Sequence, residues 1–370
     1  MLLTIISFVL VLSIVIIVHE FGHFLAAKKT GVKVEEIGLG FPPRMFAFKK
    51  NDREYSLNWI PLGGFVRLKG QGDRSVQSED SFNTKKVWQR ALIMSAGVLM
   101  NVILAIVVFS FGFTLGLPSA IGDNVPGAKI SDEKIQVYEV VENTPAEKAG
   151  LKTGDIIISI DDQGYKDINN LKNYYTDKEG ETLNISVKRG GEIINLNIKP
   201  EKLDESDQAK MGVSLVNTGI VSFPLHLAVW NGLKATFIML WQIILGFYNL
   251  IKNALISHQI SADVAGPVGI AVITGQMAKM GFVYLLEFIG MLSLTLALIN
   301  FLPLPALDGG HLLFLLIEKI KGSRVNERVE NIVHTVGFYL IILLFFVITF
   351  RDIIKFNIAS SISDFFKNIF

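Results

Sequence analysis

No charged residue occurs between Met1 and Val18. Continued to Ala27, this apolar run exceeds the roughly 20 residues of helix that cross a ~30 Å hydrocarbon core. Within lipid the backbone must satisfy its own hydrogen bonds, which leaves helices and closed barrels as the spanning structures. Ala91 to Leu117 and Phe282 to Leu302 are also long enough to cross, and Val333 to Phe350 is a slightly short fourth. Half of the 370 residues are hydrophobic and only 19% are charged, too apolar a balance for an ordinary soluble protein. The expected fold is therefore a polytopic α-helical membrane protein with about four transmembrane helices.

A cleaved signal peptide fits the first run poorly, because no Lys or Arg precedes it. Lys28, Lys29 and Lys33 follow it instead, so the positive-inside tendency places the N-terminus outside and the Lys28 end in the cytoplasm. Lys85, Lys86 and Arg90 before the second run agree, as do Lys319, Lys321, Arg324 and Arg328 before the fourth. A net charge of +1 gives no support for nucleic-acid binding, and the absence of cysteine excludes disulfides and thiolate metal sites.

Between the first two spans, Gly38 to Leu68 alternates apolar and polar residues around the turn-forming pair Asn51-Asp52, with a Gly63-Gly64 interruption. That pattern predicts a β-hairpin. Both arms are apolar, so the hairpin either sits in a cytoplasmic loop or dips into the membrane under cover of the helices. Ser95 to Asn101, SAGVLMN, offers small residues for close helix packing in the second span.

From about Val125 to Lys202 the composition becomes that of a soluble α/β domain. Thr144-Pro145-Ala146-Glu147 has the form of a capping box with proline at the first helical position, and Gly150 is a suitable helix stop. A turn through Gly154-Asp155 leads into an Ile-rich strand. A second helix over Ile168 to Tyr175 and strands over Leu183 to Val187 and Ile193 to Ile198 complete the unit. The Pro-Ala, Ala-Gly-Leu, Gly-Asp series resembles a bacterial PDZ domain, a module that binds extended peptide at a sheet edge. A spacer that binds nothing is the alternative.

His19 and His23 are four residues apart, hence on one face of the first helix. HEFGH is a His-Glu-x-x-His arrangement, in which two imidazoles hold a zinc ion and the intervening Glu20 takes a proton from water. Ionisable groups inside a spanning helix are costly and mark function by default. His19 would lie ~27 Å along a helix from Met1, toward the cytoplasmic end. Snorkelling interfacial residues are the rival explanation, and they account for one histidine better than for the pair with its acid.

A third ligand must come from elsewhere. His226, His258 and His334 fall near span ends, and Glu287 near the outer start of its span. Asn300 to Leu313, NFLPLPALDGGHLL, ends the third span with two prolines and offers Asp308, with His311 as a weaker rival. Asp308 would equally serve as the N-cap of a helix beginning near Gly310.

Taken in order, His19-Glu20-Phe21-Gly22-His23, the PDZ-like insert and Asn300 through Asp308-Gly309 resemble the site-2 protease family of intramembrane zinc metalloproteases, in its bacterial form with one PDZ domain. The resemblance covers nearly the whole chain. It implies that His19, His23 and Asp308 bind Zn2+, that Glu20 is the general base and acid, and that Asn300 helps hold the substrate. It implies further that the hairpin ending in Gly63, Gly64 and Phe65 is a membrane-reentrant element whose edge pairs with unwound substrate. The implied substrates are single-pass transmembrane proteins, such as anti-sigma factors or remnant signal peptides, cleaved in a bacterial inner membrane. Gly266-Pro267-Val268-Gly269 matches a recurrent segment of the family without an assigned role.

The resulting organisation is a first part of the membrane core over 1–117, an extracytoplasmic PDZ domain over 125–202, a linker over 203–264, a second part of the core over 265–350, and an amphipathic tail over 351–370. If His19 and Asp308 meet, their helices run parallel, and one return span between them achieves this. Leu225 to Ile251 is nearly apolar enough to add a crossing, which would put Asp308 on the wrong face. It is therefore expected to lie along the extracytoplasmic surface, with His226, Asn231 and Lys234 near water, or to pair with Val264 to Ala278 as a hairpin. Rival readings of the whole chain are another membrane zinc peptidase and a PDZ-bearing membrane adaptor.

Overall fold

The computed structural model describes residues 2–121, 126–141, 143–202, 209–256 and 265–355. They fall into two units, one formed by Met1–Phe111 with Val229–Phe370 and the other by Gly112–Ala228.

In the first unit, α1 (Leu2–Thr30) buries Ser7, Val11, Val15, His19, Gly22, His23, Ala26 and Ala27. That spacing of three and four is one stripe of a helix, so the two histidines lie on its inward face by periodicity. The stripe meets α2 (Val87–Leu115), α7 (Phe282–Phe301) and α8 (Asp308–Lys321). Val11 and Val15 pack with Val108, Leu286 and Ile289, while Ala26 and Ala27 pack with Ile93, Ala96, Leu68 and Leu315. His19 and His23 sit between these two apolar clusters. Close approach of α1 and α2 depends on Gly22, where a Cβ would fall 2.3 Å from the Ala96 carbonyl oxygen.

Strands β1 (Val34–Lys50) and β2 (Arg53–Leu68) form the expected hairpin about Asn51 and Asp52, both in the left-handed region. The first arm begins at Val34 rather than Gly38, and each arm bends back along the other. Tyr55 pairs with both Phe48 and Ile37, and Ile37 pairs in turn with Val66. Two strands thus make four side-by-side rows, in the order 44–50, 53–58, 34–39, 64–68. Buried Glu36 ties the rows together by accepting from Ser56 Oγ at 2.7 Å and from Arg44 at 2.9 Å. The last row, with Gly64, lies at an edge.

Among the described residues five helices, rather than the four expected spans, have the length and apolarity to cross a membrane. The addition is α5 (Leu225–Ile256), whose two charged residues, Lys234 and Lys252, flank a long uncharged stretch. The short fourth span grows into α9 (Glu327–Lys355), because Glu327, Arg328 and Glu330 continue the helix toward its N-terminus. The expected tail loses 351–355 to α9, and 356–370 lie outside the described residues.

Helix α6 (Pro267–Met280) gives the Gly-Pro-Val-Gly segment a structural part: the Gly269 amide donates to buried Asp352 of α9 at 2.7 Å. Gly275 on α6 meets Thr4, since a Cβ there would lie 2.5 Å from its hydroxyl oxygen. Thr4 is ~22 Å along α1 from His19, so the chain has reached the N-terminal end of α1 before α7 begins.

The second unit is built on a six-stranded antiparallel sheet. Its strands are β3 (Leu117–Ala120), β4 (Lys129–Val140), β5 (Ile156–Ile160), β6 (Leu183–Arg189), β7 (Glu192–Ile198) and β10 (Val213–Ser222), in the order β3-β10-β4-β5-β6-β7. The domain is therefore larger than 125–202. Residues 213–222 are a central strand rather than linker, because Val213, Leu215, Ile220 and Val221 pair along β4. A two-stranded ribbon of β8 (Glu201–Lys202) and β9 (Ala209–Lys210) precedes it. Helices α3 (Pro145–Lys148) and α4 (Ile168–Thr176) fall where the sequence places them. The capping box is only half made: Glu147 accepts from the Asn143 amide at 2.6 Å, but the Thr144 hydroxyl donates to the Val141 carbonyl instead of capping the helix. Ile135, Leu171, Leu183 and Ile185 are fully buried in a core of this unit's own.

Candidate active site

Three side chains converge between α1 and the start of α8. His19 Nε2 and His23 Nε2 are 3.2 Å apart, and Asp308 Oδ2 lies 3.0 Å from the first and 3.2 Å from the second. These distances are close to the ~3.3 Å edge of a tetrahedron with ligands about 2.0–2.1 Å from its centre. Asp308 does not cap α8, whose N-cap is Leu307. His311, the rival third donor, lines the same cavity without joining the triad.

The outward nitrogens are held as well. His23 Nδ1 donates to the Ile93 carbonyl at 2.8 Å, which leaves its Nε2 with a lone pair aimed at the other two donors. Buried Asn101 lies 3.4 Å from His19 Nδ1 through its Nδ2, while its Oδ1 is buried without a partner. Exchanging the two ends of the amide lets Oδ1 accept from His19 Nδ1–H, which satisfies the oxygen and frees Nε2 of His19 in the same way. Ser293 of α7 fixes Asn101 further by donating to its carbonyl at 2.9 Å. Two imidazole lone pairs and a carboxylate facing one point repel unless a cation lies among them. The donor set of two nitrogens and one oxygen suits zinc.

Asn101 and Gly97 are contributions that motif reading missed. A Cβ on Gly97 would stand 2.4 Å from His23 Nε2 and 2.7 Å from His19 Nε2, so only glycine leaves room for the rings. The available signal was a polar residue inside a spanning helix, four positions after a glycine. Gly309 and Gly310 act similarly: a Cβ at either would fall within 2.4 Å of a backbone oxygen of Leu302 or Leu304. The paired glycines let α8 start against the loop that delivers Asp308.

A cavity of about 430 Å³ opens beside the triad, lined by Glu20, Asn300, His311 and the edge row Gly63, Gly64, Phe65 and Val66. Every site residue read from the sequence is thus brought to one place. Gly64 is close enough to α1 that a Cβ would lie 3.4 Å from Glu20 Cγ. Among the described residues a second group of possible donors, His311, Glu330 and His334, lies nearby. Two of its three members are already engaged, His334 Nδ1 by the Ala306 amide and Glu330 by Arg74.

The sequence profile of Peptidase family M50 matches residues 7–344. The chain belongs to peptidase family M50. This is the site-2 protease family, and the protein is accordingly a metalloprotease and an integral membrane protein. A Clostridium perfringens protein named as a zinc metalloprotease is 34% identical, over 93% of this chain and 97% of its own length. The regulator of sigma-W protease RasP of Bacillus subtilis is 28% identical over 95% of this chain and 98% of its own. A solved PDZ domain, from the SdrC-like protein of Listeria monocytogenes, is 27% identical over 24% of this chain and 92% of its own, with a TM-score of 0.22.

Proposed function

We propose that this M50 protein is an intramembrane zinc endopeptidase that hydrolyses peptide bonds in the transmembrane segments of single-pass proteins. The observation that carries the reading is the 3.0–3.2 Å triangle of His19, His23 and Asp308, with Glu20 in the adjoining cavity. When bound by that triad, zinc supplies acidification of water and polarisation of a carbonyl.

The chain's own groups supply the rest. The Glu20 carboxylate accepts a proton from the attacking water and delivers it to the departing amine nitrogen, so that one residue is base and then acid. The Asn300 amide, which also lines the cavity, orients the scissile carbonyl. A transmembrane substrate is helical and must unwind before its backbone is accessible, which exposes N–H and C=O groups in a medium without water. The edge row from Gly63 to Val66 offers those groups a strand partner beside Glu20, and Gly64, lacking a side chain, lets that row lie close against α1.

The PDZ-like unit is extracytoplasmic in this reading and screens peptide segments that reach the site, while the triad lies toward the cytoplasmic face of a bacterial inner membrane. The Bacillus subtilis relative is named for regulation of sigma-W. That name favours substrates such as membrane-bound anti-sigma factors shortened by an earlier cut, with remnant signal peptides as a second class. Helix α5 lies along the extracytoplasmic surface, so that α1 and α7 run in the same direction.

Glu20→Gln tests the proposal. The variant retains stoichiometric zinc and its fold but loses cleavage of a membrane-embedded reporter by about 10²-fold or more. An unchanged cleavage rate would remove Glu20 from the chemistry, and an unchanged phenotype in a protein that binds no zinc would favour a PDZ-bearing adaptor.

A further inference from the structure

No motif marks α9, yet a four-residue stretch of it grips the loop that carries Asp308 on both sides. Ala306, two residues before Asp308, has a φ of 70°, a left-handed conformation that a residue with a Cβ keeps only when its surroundings hold it there. Its amide donates to Nδ1 of His334 at 2.9 Å. The same imidazole stacks on the ring of His311, three residues after Asp308, with centroids 4.1 Å apart and planes inclined by 18°. Gly337, about one turn further along α9, seats Pro305. A Cβ there would lie 2.3 Å from Pro305 Cβ and 3.0 Å from its carbonyl carbon and oxygen.

This arrangement also excludes His334 as a ligand. An imidazole that accepts at Nδ1 carries its proton on Nε2 when neutral, so neither nitrogen has a lone pair to offer a metal. Its Nε2 is buried without a partner, and the ring's engaged side is the one facing Ala306. His334 therefore acts on the backbone.

We infer that His334, with Gly337, is a positioning residue: it holds Ala306 in its left-handed turn and thereby aims Asp308 at His19 and His23. The inference rests on those three residues being the zinc ligands. A metal site tolerates only about ±0.2 Å in ligand placement. Ala306 without its acceptor has no reason to keep φ positive, and its relaxation would swing the next two residues. The last helix thus acts as a clamp on the third ligand, although it supplies no ligand itself.

The experiment uses full-length protein in detergent, loaded with Co2+, and reads both the visible absorption of the bound ion and metal retention against a chelator. His334→Leu removes the acceptor, and His334→Asn keeps an oxygen able to take the place of Nδ1. Gly337→Ala displaces Pro305 without touching the imidazole. His334→Leu and Gly337→Ala are expected to lose about ten- to hundred-fold in metal retention, the range seen on losing an outer partner of a ligand, and to alter the cobalt spectrum. His334→Asn restores both. Wild-type spectra and retention in His334→Leu overturn the inference. If His334→Leu does not fold, Gly337→Ala decides: intact retention overturns the clamp, and weakened retention with an intact His334→Asn supports it. His19→Ala is the separate control, because metal binding that survives it refutes the ligand assignment itself.

Discussion

His19 and Asp308 are 289 positions apart in sequence, and their Nε2 and Oδ2 atoms lie 3.0 Å apart. One belongs to the first helix and the other to the first residue of α8, so the pair closes almost the whole membrane unit. Removing either end should act on metal before it acts on fold. Asp308→Asn is expected to release zinc to a chelator that leaves the wild type loaded, with the helical circular dichroism unchanged. Retained zinc in this variant would show that the ion, if bound, is held elsewhere.

Asn101 reaches the same triad through His19. Asn101→Leu removes the side chain that faces His19 Nδ1, which is buried. Zinc affinity should fall by about ten- to hundred-fold, while Asn101→Asp, which keeps an acceptor, should lose less. Titration against a metal chelator of known affinity measures both.

Gly97 tests packing rather than chemistry. In Gly97→Ala the new methyl must displace the His19 and His23 rings, its nearest atom being His23 Nε2 at 2.4 Å. A ligand moved by about 1 Å costs on the order of 10²-fold in rate. Reporter cleavage should fall by that factor or more in a protein that still inserts and purifies normally.

The PDZ-like unit carries its own pH dependence. Burial of Asp155 works to raise its pKa, but hydrogen bonds from Arg189, at 2.7 Å, and from the Lys152 amide outweigh it and hold the carboxyl below the usual carboxylate range. A group depressed in this way contributes stability above its unfolded value, near ~3.9, and loses that contribution as pH falls through the folded value. Hydrogen-exchange protection of β5 and β6 in the full-length protein should hold from neutral pH to about pH 5 and decline below ~pH 4. Asp155→Asn should flatten the decline and cost about 2 kcal/mol at pH 7. Identical pH profiles for the two proteins would remove Asp155 from the account.

Placement of α5 is open to direct labelling, because the chain contains no cysteine. Leu255 is 74% exposed near the end of α5, and Leu255→Cys adds a single reactive thiol. With α5 on the extracytoplasmic surface, a membrane-impermeant maleimide added to intact cells labels it. Labelling only after the cytoplasm is opened would make α5 a true crossing.

Much of this protein was legible from local pattern. Uninterrupted apolar runs give the spanning helices because the membrane leaves the backbone no alternative, and a spacing of four puts His19 and His23 on one face whatever surrounds them. The Pro145 to Asp155 series fixed a turn, a short helix and a strand through proline and glycine chemistry that acts within a few residues. Asp308 was reachable as a candidate because few donors lie at a span end, but capping of the next helix competed for it until the family resemblance chose the ligand role. Strand β10 was not, since its membership depends on pairing with β4 across more than seventy residues, and isolated it looks like linker. Neither was the doubling of the hairpin, where Tyr55 takes partners on both sides. Gly97, Asn101 and His334 carry no motif, and their parts exist only once three helices are packed. Sequence determined which side chains face inward along each helix, because that is periodicity; the tertiary structure decided which inward faces meet, because contact between distant segments is set by packing that no local pattern encodes.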